Sequence, residues 1–165
     1  MITLWAVTTS QWDVSAICVN DIINSNNEID RSKDRSSGRN WIRILIIWSG
    51  SSGRNDTCTI TGGSITNNSA NSAWGGGIFV YENGFADVSG GTISNNHAGA
   101  GGAFCLQNEN AEIHVSNGTI SNNTAVDTGG AVYACYSSYV KITGGTITGN
   151  ATQSATNAYG GAVAL

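Results

Sequence analysis

The sequence predicts an all-β fold, a parallel β-helix with three short strands in each coil, and three observations carry that prediction. The first is a phrase written four times: Gly63-Ser64-Ile65-Thr66-Asn67-Asn68, Gly91-Thr92-Ile93-Ser94-Asn95-Asn96, Gly118-Thr119-Ile120-Ser121-Asn122-Asn123 and Gly145-Thr146-Ile147-Thr148-Gly149-Asn150. The second is spacing. Gly63, Gly91, Gly118 and Gly145 stand 28, 27 and 27 residues apart by their numbers, and a fixed period in the range of roughly 20–50 residues means stacked repeats. The third is order: in every period an alternating run precedes the phrase and a glycine pair with an apolar run follows it.

Within one period the first strand is Cys58-Thr59-Ile60-Thr61, matched by Ala86-Asp87-Val88-Ser89, Ile113-His114-Val115-Ser116 and Val140-Lys141-Ile142-Thr143. Apolar residues take the first and third places and polar ones the second and fourth, the pattern of a half-buried strand. The second strand is the repeated phrase itself, with Ile65, Ile93, Ile120 and Ile147 in one inward column. The third follows the glycines: Gly76-Gly77-Ile78-Phe79-Val80-Tyr81, Gly101-Gly102-Ala103-Phe104-Cys105-Leu106, Gly129-Gly130-Ala131-Val132-Tyr133-Ala134 and Gly160-Gly161-Ala162-Val163-Ala164-Leu165. Aligned on those pairs, its inward columns read Phe79, Phe104, Val132, Val163 and Tyr81, Leu106, Ala134, Leu165. Coils then stack at the ordinary strand spacing of ~4.8 Å. The glycines serve corners. Asn68, Asn96, Asn123 and Asn150 close the second strand, where Asn tolerates left-handed backbone and stacked amides bond up the column.

Residues 1–55 lack the repeat, and 56–165 read as about four coils. The first segment holds four of the five Trp and six of the seven Lys and Arg. Val14, Ile17, Cys18, Asp21 and Ile22 have helical spacing and predict a short helix. The stretch 24–38 reads as a loop and 41–48 as a strand. The segment suits an N-terminal cap, since a stack of coils has an open apolar end. The other reading is degenerate coils, and Ile22-Ile23-Asn24-Ser25-Asn26-Asn27 echoes the repeated phrase. The sequence stops in mid-coil at Leu165, which reads as a segment truncated from a longer array. Such a last coil invites end-to-end or edge self-association.

Composition narrows the function classes. The 165-residue chain carries a net charge of −4, and only 11% of its residues are charged. That balance argues against nucleic acid, which needs a basic stripe. No stretch reaches the ~18 apolar residues of a membrane helix, so the chain is not expected to be transmembrane, and Met1-Ile2-Thr3-Leu4-Trp5 does not begin a secretory signal. Cys18, Cys58, Cys105 and Cys135 fit no zinc or redox spacing. A Cys105–Cys135 bridge would have to span columns offset by two positions. No metal or other cofactor is implied.

The phrase Gly-Gly-Thr-Ile-Ser-x-Asn, followed about ten residues later by Gly-Gly-Ala-Val-Tyr, resembles the right-handed parallel β-helix repeats of large bacterial surface proteins. Those are autotransporter passengers, polymorphic-outer-membrane-protein-like repeats and adhesins. The resemblance covers residues 58–165 and rests on corner and core residues. It implies an extracellular or cell-surface location and a structural or adhesive role. The same fold hosts pectate-lyase-like enzymes, so function has to be argued from the site.

Three surfaces are candidates. Tyr136 and Tyr139 sit in one turn with Tyr133 nearby, and exposed Tyr stacks on sugar rings. Thr92 and Ser94, Thr119 and Ser121, Thr146 and Thr148 flank the inward Ile column as two files of hydroxyls, beginning at Ser64 and Thr66. These resemble the Thr-x-Thr faces of ice-binding solenoids. The column Thr59, Asp87, His114, Lys141, with Glu112 diagonal to Asp87, could serve an acid–base enzyme. No outward column there holds two acids, no second Asp completes a calcium cage, and Arg is absent after Arg54. His97 and His114 are the only His available to a nucleophile triad. The expectation is a non-enzymatic stalk or adhesive surface for glycan or protein. A polysaccharide-active enzyme or its remnant is the first alternative and an ice-binding solenoid the second.

Overall fold

The structure, a computed structural model, describes residues 16–17, 21–23, 28–30, 44–47, 57–70, 74–154, 156 and 158–165. Every regular element among them is a strand: β1 (Ala16–Ile17), β2 (Asp21–Ile23), β3 (Glu28–Asp30), β4 (Ile44–Ile47), β5 (Thr57–Thr66), β6 (Ile78–Tyr81), β7 (Phe85–Ser94), β8 (His97–Ala100), β9 (Phe104–Gln107), β10 (Glu112–Ser121), β11 (Thr124–Thr128), β12 (Val132–Ala134), β13 (Tyr139–Ile142), β14 (Thr146–Thr148), β15 (Ala151–Thr152) and β16 (Val163–Ala164). All pair in parallel with strands one coil away, which makes the molecule a β-solenoid of about four turns.

The first and second strands of the repeat run on as one in β5, β7 and β10. Their ladders shift register between the two legs, at the glycine pair or just before it. Gly91 (φ 83°) shows why glycine stands there: a Cβ would come within 2.7 Å of the Gly62 carbonyl oxygen. The two legs are separate strands at both ends of this sheet, as β2 and β3 on β5 and as β13 and β14 on β10. A further small sheet, β8, β11 and β15, follows the last three of the four ladder Asn, and after the first only Ser69 bridges to His97. The expected three strands did not include it, because His97–Ala100 and Ala151–Thr152 carry small residues with little strand preference.

The core fills the interior of the coils. Ile65, Ile93 and Ile120 form one buried column with half-buried Ile147 beside it, and Ile60, Val88 and Val115 form another. Asn68, Asn96, Asn123 and Asn150 climb the stack next to the first column. Asn68 Nδ2 donates to Asn96 Oδ1 at 2.8 Å, Asn96 Nδ2 to Asn123 Oδ1 at 3.0 Å, and Asn123 Nδ2 to Asn150 Oδ1 at 2.9 Å. Each of those oxygens also accepts the backbone N–H of the Asn one coil earlier. The second proton of Asn96, Asn123 and Asn150 goes to the carbonyl of Ile65, Ile93 and Ile120 respectively. The left-handed residue is the one before each ladder member: Asn67, Asn95, Asn122 and, in the last copy, Gly149. Gly replaces Asn there because that position is chosen for backbone conformation.

The third sheet corrects the alignment. Its order is β1-β4-β6-β9-β12-β16, with Ile78 level with Phe104, Phe79 with Cys105, Val80 with Leu106 and Tyr81 with Gln107. The inward columns are therefore Ile78, Phe104, Val132, Val163 and Val80, Leu106, Ala134, so Phe79 and Tyr81 face outward. Three consecutive glycines made the wrong pair easy to choose. Gly75 (φ 69°), not Gly76, stands level with Gly101 (φ 67°). Gly77 takes the inward place of Ala103, where a Cβ would meet Asn96 Nδ2 at 3.2 Å. A slip of one residue exchanges the two faces of a strand.

The N-terminal strands also depart from expectation. Ala16–Ile17 and Asp21–Ile23 are strands where a helix was expected, and Glu28–Asp30 is a strand inside the expected loop. Tertiary pairing overrides the helical spacing: β2 lies on Cys58–Ile60, β3 on Ser64–Thr66 and β4 on Ile78–Tyr81. Ile44–Ile47 falls within the expected strand. The place level with the repeated phrase is taken by Glu28-Ile29-Asp30, not by the echo at 22–27. Val14 and Cys18 lie outside the described residues.

Candidate functional site

The outer face of β7, β10 and β13 gathers most of the polar chemistry predicted from sequence. Register places Thr59, Asp87, His114 and Lys141 in one column, as expected, and Phe85, Glu112 and Tyr139 in the neighbouring column. Alternation forces this: Ile113 and Val115 are buried, so Glu112 and His114 face out. Tyr139 thus belongs to the same patch as the acid–base residues, directly beside Glu112. Lys141 is exposed and is the one Lys or Arg among the described residues.

His114 sits between two partners. Its Nδ1 is 3.3 Å from Asp87 Oδ1, and its Nε2 is 3.2 Å from Thr143 Oγ1. With the proton on Nδ1 facing the carboxylate, Nε2 competes with the Val115 carbonyl, 3.5 Å from Thr143 Oγ1, for the one hydroxyl proton of Thr143. The order Asp, His, hydroxyl is that of a nucleophile relay. The Thr143 N–H is spent on the Val115 carbonyl at 2.8 Å, so it does not serve as an oxyanion donor. The three side chains brace successive coils. Thr143 escaped the sequence reading, although its place two residues after Lys141 on the same face, diagonal to His114, was available as a signal.

The hydroxyl files stand in the expected register: Ser64, Thr92, Thr119 and Thr146 in one, Thr66, Ser94, Ser121 and Thr148 in the other. Their exposure is uneven. Thr146 and Thr148 are exposed, Thr92, Thr119 and Ser121 are half-buried, and Ser94 is only 7% exposed, its Oγ within 3.4 Å of Asn95 Nδ2. Tyr136 is 70% exposed in the turn after β12, with positive φ, and Ser137 shares that conformation. Ser137 and Ser138 separate it from Tyr139, the first residue of β13.

The outer face of the third sheet is the feature that the sequence reading missed. Phe79, although outward, is 8% exposed, and it packs with Cys105, Tyr81 and Tyr133 in a cluster of its own. Trp74, Phe79 and Tyr81 form a row with ring centroids 6.4 and 6.0 Å apart. Asn108 Nδ2 donates to the Tyr81 hydroxyl at 2.7 Å. Burial pushes the Tyr133 hydroxyl above its ordinary pKa, and its hydrogen bond to Cys135 adds to the shift. Burial also raises the Cys135 thiol, against the lowering effect of that bond. Cys135 is a free thiol. Cys105 is level with Tyr133, which confirms the two-position offset from Cys135. Such diagonal neighbours have Cα atoms ~7–8 Å apart, beyond the usual span of a disulfide. No helix among the described residues is long and apolar enough to cross a membrane. Among those residues no three His, Cys, Asp or Glu side chains gather as metal ligands.

Comparison of the chain with known protein families, with curated proteins and with solved structures finds no match. The class of protein is defined by the fold alone: a parallel β-solenoid.

Proposed function

We propose that this solenoid is a structural and adhesive module of a secreted or cell-surface protein, a rigid stalk whose outer faces hold glycan or protein. The observation that carries the reading is the coil-to-coil register, resumed after the shift at each glycine pair and braced inside by the Asn ladder and outside by the Asp87–His114–Thr143 chain. Such a scaffold keeps its outward side chains at fixed ~4.8 Å steps, which suits a repetitive ligand. Tyr139, 57% exposed and flanked by Glu112, is a ready contact for a sugar ring.

A second reading, a polysaccharide-active enzyme or its remnant, is favoured by one observation. Asp87 and Glu112 are diagonal neighbours on adjacent coils. That relation sets their Cα atoms ~7–8 Å apart, near enough for both carboxylates to reach one sugar linkage, as the acid pairs of glycosidases do. One experiment separates the two. The full chain is presented to a glycan array and to insoluble polysaccharides, and reducing ends are assayed on every binder. Retention without release supports the adhesive module. Release of reducing ends that Glu112→Gln abolishes would replace it with the enzyme. Retention by no glycan would remove the glycan-binding half of the adhesive role.

A further inference from the structure

Alternation and register set an aromatic ring on either side of Glu112. Ala86 and Val88 are buried, so Phe85 and Asp87 face out, and Ile113 and Val115 do the same for Glu112 and His114. Phe85, Glu112 and Tyr139 therefore stand in one outward column on successive coils. Phe85 is half-buried and Tyr139 is 57% exposed. In the next column stand Asp87, His114 and Lys141. The Asp87 carboxylate faces His114 Nδ1 at 3.3 Å. The Glu112 carboxylate has neither ion pair nor hydrogen bond among the described residues, and the same holds for the Lys141 ammonium.

From this arrangement we propose that the column Phe85, Glu112, Tyr139 is a binding site for a chain of amino sugars, with Glu112 taking the protonated amine and Tyr139 the sugar ring. The assignment rests on the adhesive reading above and names the ligand class at Tyr139. Coils step by ~4.8 Å, so a cation seated over Glu112 lies about that far from the column of each flanking ring, within the ~6 Å reach of a cation–π contact. An ammonium group there meets a carboxylate between two rings, and the unpaired carboxylate gains a charge-assisted hydrogen bond. The exposed phenol offers an apolar body with a polar tip, which suits the mixed surface of a pyranose. A uronate or sulfate fits less well, because it meets two acids, Asp87 and Glu112, against the one Lys. Lys141 lies diagonal to Glu112 and repels a cationic ligand. That repulsion gives the test a sign: removing Lys141 favours a cationic sugar and disfavours an anionic one.

The test is calorimetric titration of the full chain, below the pKa of the sugar amine, with glucosamine oligomers, the same oligomers N-acetylated, uronate oligomers and choline. The free-amine series should bind about tenfold more tightly than the acetylated one. Glu112→Gln should erase that difference, Tyr139→Ala should weaken binding about tenfold, and Lys141→Met should tighten it. Tyr139→Phe, which retains the ring, should bind nearly as the parent does and covers the case in which the alanine variant fails to fold. Acetylated oligomers bound as tightly as the free amines, or a preference for amines kept in Glu112→Gln, would overturn the ligand class and leave the adhesive reading intact. Uronates bound by the parent and lost in Lys141→Met would do the same. Choline bound as tightly as the oligomers would overturn the part given to the sugar. Binding of no sugar at all would overturn this inference and the glycan-binding reading together.

Discussion

At the scale of single residues, the Asn column shows how a polar side chain can stabilise a dry interior. Asn96 and Asn123 are completely buried, yet every donor and acceptor of their amides is matched. Asn123→Ala would orphan the Asn96 N–H and side-chain amide and the Ile93 carbonyl at once. At ~1–3 kcal/mol for an orphaned buried group, the variant should lose about 2–4 kcal/mol in urea denaturation, and a loss under 1 kcal/mol would show that the ladder contributes little. Tyr133 and Cys135 give a pH dependence of definite sign. Both folded pKa values lie above the ordinary 10.0 and 9.0, so the neutral forms are favoured in the fold. Their contribution is fully present below the unfolded values and is lost as pH rises through the folded ones. The melting temperature should therefore fall above about pH 9, less steeply in Tyr133→Phe. An identical alkaline fall in parent and variant would remove Tyr133 from the account. The ladder positions were legible as a column of Asn in the sequence. The bonding that reaches back to the Ile carbonyls was not, because it depends on the side chain turning into the coil.

At the scale of strands, burial follows register, and register is where sequence reading succeeded and failed. The first two columns were legible because alternation repeats without insertion, as in Ile113-His114-Val115 under Val140-Lys141-Ile142. The third was misread by one residue because Gly75-Gly76-Gly77 offers two pairs, and only the φ of Gly75 and the crowding at Gly77 decide between them. The aromatic row on the outer face of that sheet was hidden by that slip. Two contrasts check the assignment. Ile78→Ala, at a fully buried inward position, should cost about 2–5 kcal/mol, clearly more than Tyr81→Ala on the outer face. Equal losses would mean that the faces are wrongly assigned. Ile120→Asp would bury a charge between Ile93 and Ile147 and should abolish the cooperative melt. A variant that still melts cooperatively would contradict the inward placement of Ile120.

At the scale of the whole molecule, a stack of coils behaves as a sum of units and the interfaces between them. Removing residues 97–123, one period of 27 by their numbers (123 − 97 + 1), joins Asn96 to Thr124 and restores the sequence of a coil junction. That deletion should keep the β-sheet circular dichroism and a cooperative melt at lower temperature. Removing 97–120, three residues short of a period, should lose both. The measurement that tests the central claim most directly is oxidative cross-linking in the third sheet, where solenoid register and the outward aromatic row meet. The Cα partners Tyr81 and Gln107 are adjacent on neighbouring parallel strands, ~4.8 Å apart, within the span a disulfide needs. With Cys135, which is level with position 107, replaced by Ser, Tyr81→Cys/Gln107→Cys should form that bond quantitatively in the folded chain, located by mass spectrometry of the unreduced peptides. Thiols that stay reduced at both positions, while Tyr81→Cys/Leu106→Cys becomes linked, would contradict the register and remove the aromatic face from the outside of the molecule.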